Sequence, residues 1–170
     1  SIQEGLLIPI AAGVAVAKAL ENRGGNPKLK WPNDILLNNK KCGGILSESR
    51  VKNNSITHMI IGFGLNINET VNDFPSLLSD SATSLAIETN QSNQRELICA
   101  IIATCFERLL NDLPSSLPIW KNYCNHLNEI ISFSQNGQNQ SGLFKGLNDD
   151  GRARIHIDKK EILFNSITLE

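Results

Sequence analysis

Aromatic side chains make up only 5% of this sequence, methionine and tyrosine occur once each, and charged residues reach 19%. That charged share lies below the roughly 25% usual for soluble domains, and the two signs nearly cancel to a net charge of −1. With no Lys/Arg-rich run, the electrostatic footprint of nucleic-acid binding is missing, so no nucleic-acid partner is expected. The apolar stretch 5–20 falls short of the roughly 20 residues that cross a bilayer. It contains Pro9 and has no basic leader, so it reads as a core helix, and no membrane partner is expected. Cys42, Cys99, Cys105 and Cys124 form no CxxC pair, and His58, His126 and His156 complete no ligand-spaced cluster with them. Reduced, mostly buried thiols in the cytoplasm, and no metal held by protein ligands, are the expectation.

The apolar fraction is an ordinary 41%, and 170 residues suffice for one core plus a small appended unit. The chain opens on Ser1 and runs at once into the apolar segment with no preceding strand, as a fragment of a longer polypeptide would. Ile10, Val14, Ala17 and Lys18 recur at helical spacing, and Gly24-Gly25 stops the helix near Asn22. Extended chain over 29–37, interrupted at Pro32, a return strand over 42–48 and a long strand over 56–68 make three strands after one helix. A polar loop with Pro75 spans 69–80, and Ala82-Thr83-Ser84-Leu85 begins a helical turn. Leu97, Ile101, Cys105 and Leu109 stripe a helix over 94–111, and another is expected over 117–127. From Glu129 onward, short alternating segments (130–134, 142–147, 153–157, 161–169) between Asn/Gly/Asp turns mark a small antiparallel barrel or sandwich. The expected units are 1–127 and 128–170.

Two segments carry chemistry. In the run from Lys30 to Leu46, Asn38-Asn39 suits a two-residue hairpin turn, since asparagine tolerates positive φ. Counting outward pairs Leu36 with Lys41, Asp34 with Gly43 and Asn33 with Gly44. Asp34 and Lys41 then share a face as diagonal neighbours about 7–8 Å apart. Glycine opposite polar residues weakens a strand, and close approach of a ligand to backbone is one reason for it; an ordinary surface hairpin with a solvent-facing ion pair is the alternative. In Ile61-Gly62-Phe63-Gly64-Leu65-Asn66-Ile67-Asn68, a period of two sends Ile61, Phe63, Leu65 and Ile67 to the core and the glycines and asparagines to the other face. A planar ring lying on Gly62 and Gly64 with its edge read by Asn66 fits that face. Glycines that merely admit a packed helix would fit it too.

Lys30-Trp31-Pro32-Asn33-Asp34, Lys41 seven residues after Asp34, Gly43-Gly44-Ile45-Leu46 with Glu48, and the 61–68 segment together resemble the biotin–protein ligases in order and spacing. Ala82-Thr83-Ser84-Leu85 and the closing 142–169 region are similar as well. The resemblance implies an α/β (α+β) fold: a mixed sheet with helices on one side, like class II aminoacyl-tRNA synthetases, followed by a small SH3-like β-barrel. It implies ATP-dependent formation of biotinyl-5′-adenylate, then transfer of biotin to a lysine of a biotin carboxyl carrier domain, with Mg2+ accompanying ATP. By motif position Lys41 is the catalytic cation, with Lys40 facing away. Asp34 orients Lys41 or the acceptor lysine, Asn33 and Asn66 touch nucleotide, and Gly43, Gly44, Gly62 and Gly64 let the ligand lie on backbone. Trp31 reads as core packing. The family's Gly/Arg-rich loop, G-R-G-R-x-G-R, is not in this sequence, so weak or no ligase activity is expected of the chain alone. Some family members dimerise, which makes a homodimer one expectation. The alternatives are a lipoate or octanoyl ligase or transferase, favoured less by Lys-Trp-Pro-Asn-Asp, and a non-catalytic module that binds biotin or a carrier.

Overall fold

A computed structural model describes residues 2–53, 55–135 and 138–169. Helix α1 (Ile2–Asn22) leads into β1 (Pro27–Lys30), β2 (Asp34–Leu37), β3 (Lys40–Lys52) and β4 (Ser55–Leu65). Helices α2 (Leu85–Thr89), α3 (Arg95–Leu110) and α4 (Ser116–Tyr123) follow, and β5 (Ile130–Gln135), β6 (Gln138–Leu147), β7 (Ala153–Ile157), β8 (Lys160–Phe164) and β9 (Thr168–Leu169) close the chain. The first sheet runs β1-β2-β3-β4 and the second β8-β7-β6-β5-β9.

Every pairing within the two sheets is antiparallel. The mixed sheet expected from the resemblance is thus corrected among the described residues. Parallel pairing is confined to two isolated bridges, Leu29 with Cys124 and Lys41 with Ala82. The expected extended segment over 29–37 is instead a hairpin in which Lys30 pairs with Asp34 across Trp31-Pro32-Asn33. Four strands therefore follow α1, not three.

Helix α1 is the core of the molecule. Ala11, Ala12, Val14, Ala15, Val16, Ala17, Ala19 and Leu20 have no exposed surface, so over this length the helix is buried all round, where sequence spacing suggested a single apolar face. Its small residues allow close packing against α3, α4 and the first sheet. The stretch Gly5–Asn22 is long and apolar enough to cross a membrane by length and composition, but 67% of it lies inside this fold. The helix stops where Leu20 O accepts from both Arg23 and Gly25 at 3.1 and 2.9 Å. Gly24 takes φ +85° there, a conformation open to a residue without Cβ.

On α3 the buried positions are Ile98, Ile102 and Leu109, with Ile101 and Cys105 beside them. Leu97 is 40% exposed, so the stripe is rotated by one residue at its start. Helix α4 ends at Tyr123, and the chain turns off at Cys124 to pair with β1, short of the expected Leu127. The two sheets meet through one continuous core in which Trp120 of α4 packs on Phe144 of β6, with ring centres 6.4 Å apart. Of the four free thiols only Cys42 is buried; Cys105 and Cys124 are half-buried and Cys99 is exposed, correcting the expectation of mostly buried thiols.

Candidate active-site cleft

The β2–β3 hairpin turns at Asn38-Asn39 with φ of 48° and 65°, the left-handed values that asparagine accepts most readily among residues bearing a Cβ. Leu37 pairs with Lys40 and Leu36 with Lys41, as counted from the turn. Beyond them a bulge intervenes: Ile35 pairs with Gly43 and Asp34 with Gly44. The straight register is therefore corrected by one residue, with Cys42 as the insertion. Ladder bonds are disrupted at a bulge. On the edge of β3 away from β2 the returning loop takes up the Lys41 backbone, whose amide donates to Ser81 O at 2.7 Å and whose carbonyl accepts from Thr83 N at 2.9 Å.

Lys41 and Asp34 meet, with Nζ 2.5 Å from Oδ1. The lysine side chain is 54% exposed and the aspartate 26%, so the cation is oriented by a carboxylate while staying open to a further anion. Lys40 does not line this cleft.

Asn33, Asp34, Lys41, Gly43, Gly44, Gly62, Gly64 and Asn66, all the residues singled out from sequence, line one open-sided cleft of about 890 Å³. Their contributions differ. A methyl group on Gly62 would meet nothing of this chain nearer than Leu46 at 3.8 Å, and one on Gly64 only Gly44 O at 3.9 Å. Among the described residues no helix packs on these glycines, which leaves the packed-helix alternative without support there, and their open face is the cleft floor. Gly43 is different. A methyl there would lie 2.2 Å from Gly64 O and 3.0 Å from Leu65 Cα, so strand contact alone explains this glycine. Gly44 is intermediate, with Asn33 O at 3.3 Å.

Asn33 sits exposed at the β1–β2 turn, its carbonyl accepting from Ile45 N at 2.9 Å. Asn66 donates its side-chain amide to Thr83 O at 3.1 Å. Its Oδ1 makes no hydrogen bond among the described residues and is left to accept from a ligand. Asn68 is occupied elsewhere, in reciprocal bonds with the Asn93 backbone at 2.8 and 2.9 Å. Trp31, 2% exposed, is core. Phe63 is 37% exposed, less buried than its core-facing alternation suggests, and its ring meets Phe106 of α3 edge-on at 6.1 Å. Burial, and secondarily Glu69, push the Cys42 thiol up to about 12, which removes it as a nucleophile at neutral pH.

Sequence reasoning missed the apolar wall. Phe74 and Leu78 line the cleft from the 69–80 segment, and Leu46 does so from β3. The segment holds short 3-10 turns at Val71–Asp73 and Ser76–Leu78. Its signal was the cluster Phe74-Pro75-Ser76-Leu77-Leu78 inside an otherwise polar stretch. A second cavity of about 690 Å³ shares Asp34, Lys41 and Ser81 with the first and is bounded beyond them by Asn125, Glu129 and Ser132. Among the described residues no three His, Cys, Asp or Glu side chains could together hold a metal ion.

Residues 5–66 match the Biotin/lipoate A/B protein ligase family. The chain is similar to the bifunctional ligase/repressor BirA of Bacillus subtilis, 40% identical over 106 residues, which is 62% of this chain and 33% of that protein. It thus spans about a third of that relative's length. Among solved structures it resembles the apo biotin protein ligase of Aquifex aeolicus, with a TM-score of 0.81 and 25% identity over 97% of this chain and 75% of the other. The Aquifex enzyme in complex with biotin and ATP gives a TM-score of 0.77 at 25% identity, covering 97% and 71%.

Proposed function

We propose that this chain, whose residues 5–66 match the biotin/lipoate A/B protein ligase family, forms the core of an ATP-dependent biotin–protein ligase. One observation carries the reading: the Lys41 ammonium, held by Asp34, stands over a strand floor whose Gly62 and Gly64 open into an otherwise uncovered cleft. In the first step a biotin carboxylate oxygen bonds to the α-phosphorus of ATP, the bond to pyrophosphate breaks, and negative charge gathers on the phosphoryl oxygens. A fixed cation beside them lowers that barrier, and Lys41 fills this role. The adenylate lies on Gly62, Gly64 and Gly44, with Asn66 Oδ1 and Asn33 reading the nucleotide. Magnesium arrives with ATP as part of the substrate, screening its phosphates.

In the second step the amine of a carrier-domain lysine attacks the acyl carbon, the bond to AMP breaks, and the amine loses a proton. Asp34 lines both cavities, so it is placed to orient an amine arriving from the side of Asn125 and Ser132. The same reading takes 128–170 as an SH3-like C-terminal unit, supported by five short antiparallel strands, and 1–127 as part of a class II synthetase-like catalytic unit. Free cysteines support a cytoplasmic location. The edge position of β4 supports a homodimer paired along it.

The test is ligand choice followed by turnover. Biotin with ATP should raise the melting temperature of the chain, and labelled biotin should pass to a carrier-domain lysine once the chain is joined to a segment that bears the family's Gly/Arg-rich loop. Stabilisation by lipoate alone would replace biotin by lipoate in this reading. Binding of biotin without adenylate formation in that loop-bearing fusion would reduce the chain to a binding module.

A further inference from the structure

Thr83 lies behind the cleft, 1% exposed, and bonds in three directions. Its amide donates to Lys41 O at 2.9 Å, its carbonyl accepts from Asn66 Nδ2 at 3.1 Å, and its hydroxyl donates to Glu88 Oε1 at 2.5 Å. Glu88 accepts with its other oxygen from Asn38 Nδ2, also at 2.5 Å, at the turn that delivers Lys41. Neither Thr83 nor Glu88 lines the cleft.

The circuit answers a mechanical need. Lys41 stands at a bulge, two residues beyond the exposed Asn38-Asn39 turn, where the β2–β3 ladder is interrupted. Asn66 follows the end of β4, at the other side of the cleft floor. The hairpin itself holds only the Asn66 backbone, whose amide donates to Cys42 O at 2.8 Å and whose carbonyl accepts from the Cys42 thiol at 3.2 Å; the Asn66 side chain and the Lys41 carbonyl are joined through Thr83. Thr83 bonds both, and the Glu88 carboxylate, through hydrogen bonds strengthened by its charge, holds Thr83 against the turn.

We propose that Thr83 and Glu88 are positioning residues that fix Lys41 relative to Asn66, so that a ligand spanning both, an acyl-adenylate, meets cation and amide at a set separation. This deepens the ligase reading and rests on it. Neither residue touches the ligand; a displacement of about 1 Å at a reacting centre can cost on the order of 100-fold, and loss of one buried bond should realise part of that.

The experiment measures binding of a non-hydrolysable biotinyl-adenylate analogue by calorimetry, with and without Lys41→Ala, alongside urea unfolding. Thr83→Val should weaken binding roughly tenfold, and Thr83→Ser, which keeps the hydroxyl, should restore it to within about twofold. In the Lys41→Ala background Thr83→Val should have almost no further effect, because the residue acts through the cation. Should Thr83→Val unfold the chain, Glu88→Gln must show the same dependence on Lys41. Equal losses in both backgrounds, or no loss in either, would overturn the positioning role alone. A folded wild-type chain that fails to bind the analogue would instead overturn the ligase reading, and this inference with it.

Discussion

Two glycines on opposite sides of the same strand pair should respond to substitution in opposite ways. At Gly62 a new Cβ meets Leu46 no closer than 3.8 Å, an ordinary contact, and the residue lies in extended backbone on β4. Glycine in a strand costs about 0.5–1 kcal/mol relative to a residue with a side chain, so Gly62→Val should leave the free energy of unfolding unchanged or raise it by that amount. At Gly43 the new Cβ lies 2.2 Å from Gly64 O and 3.0 Å from Leu65 Cα, both backbone atoms that move only with the strand. Gly43→Ala should therefore cost about 1–3 kcal/mol. Ligand binding should separate the pair in the other direction. Valine at 62 fills the floor on which an adenylate would lie, and a displacement near 1 Å should weaken the biotinyl-adenylate analogue by about 100-fold. Urea unfolding and calorimetric titration read the two quantities separately. Unimpaired binding in a folded Gly62→Val chain would remove this face from the site. A loss of more than about 2 kcal/mol of stability there would mean that something packs on Gly62 after all.

Lys41→Ala should leave stability within about 1 kcal/mol, since the lysine of its ion pair with Asp34 is 54% exposed, yet on the proposed ligase reading lower adenylate formation by roughly 10²–10³ in a chain joined to the Gly/Arg-rich loop; Lys40→Ala, outside the cleft lining, should change neither, with urea unfolding reporting stability and pyrophosphate release reporting adenylate formation. His126 is 5% exposed with both ring nitrogens unpartnered, and burial, then Lys30, pushes it down from its ordinary 6.5 to about 4. The unfolded chain then binds the extra proton first. Stability is full above pH 6.5 and declines as pH falls through 4, by roughly 3 kcal/mol in all. His126→Phe should flatten urea-midpoint curves over that window, and an unchanged slope would show the imidazole to be paired or hydrated. Iodoacetamide at pH 8 should label exposed Cys99 while Cys42, with its thiol pushed up to about 12, stays unmodified until unfolding; peptide mass mapping decides.

Local signals proved sufficient for local features. The stop at Gly24, the positive φ values at Asn38 and Asn39, and the helical turn that begins at Ala82-Thr83-Ser84-Leu85 each depend on a few adjacent residues. So do β7, whose bounds match the alternation over 153–157, and the period of two that puts Gly62, Gly64 and Asn66 in the cleft lining. What depended on distant partners was hidden. The β1–β2 hairpin turns on Trp31-Pro32-Asn33, which holds none of the Asn-Gly pairs that announce a turn. Phe74 and Leu78 become a cleft wall only when the 69–80 segment folds back over β3. The all-round burial of α1 depends on what packs against it, and alanine-rich periodicity cannot report that.

The bulge at Cys42 shows why the site was readable at the level of residues and misread at the level of register. Partners directly across an antiparallel ladder share a face. Asp34 pairs with Gly44 and Leu36 with Lys41; Asp34 and Leu36, two apart on one strand, also share a face. Lys41 and Gly44 must then lie on that face together. Three residues apart, they would fall on opposite faces of any regular strand. One inserted residue resolves the conflict, and the inserted residue is Cys42, fully buried with its thiol bonded to Asn66 O at 3.2 Å. A straight β3 could offer Lys41 with Gly43, but Gly43 is closed off by Gly64 O. Only the bulged strand joins the cation to a glycine open to the cleft. Deleting Cys42 should therefore straighten the ladder and turn Lys41 and Gly44 to opposite faces, so that a folded deletion variant still binding the adenylate analogue at wild-type affinity would refute the role assigned to the bulge.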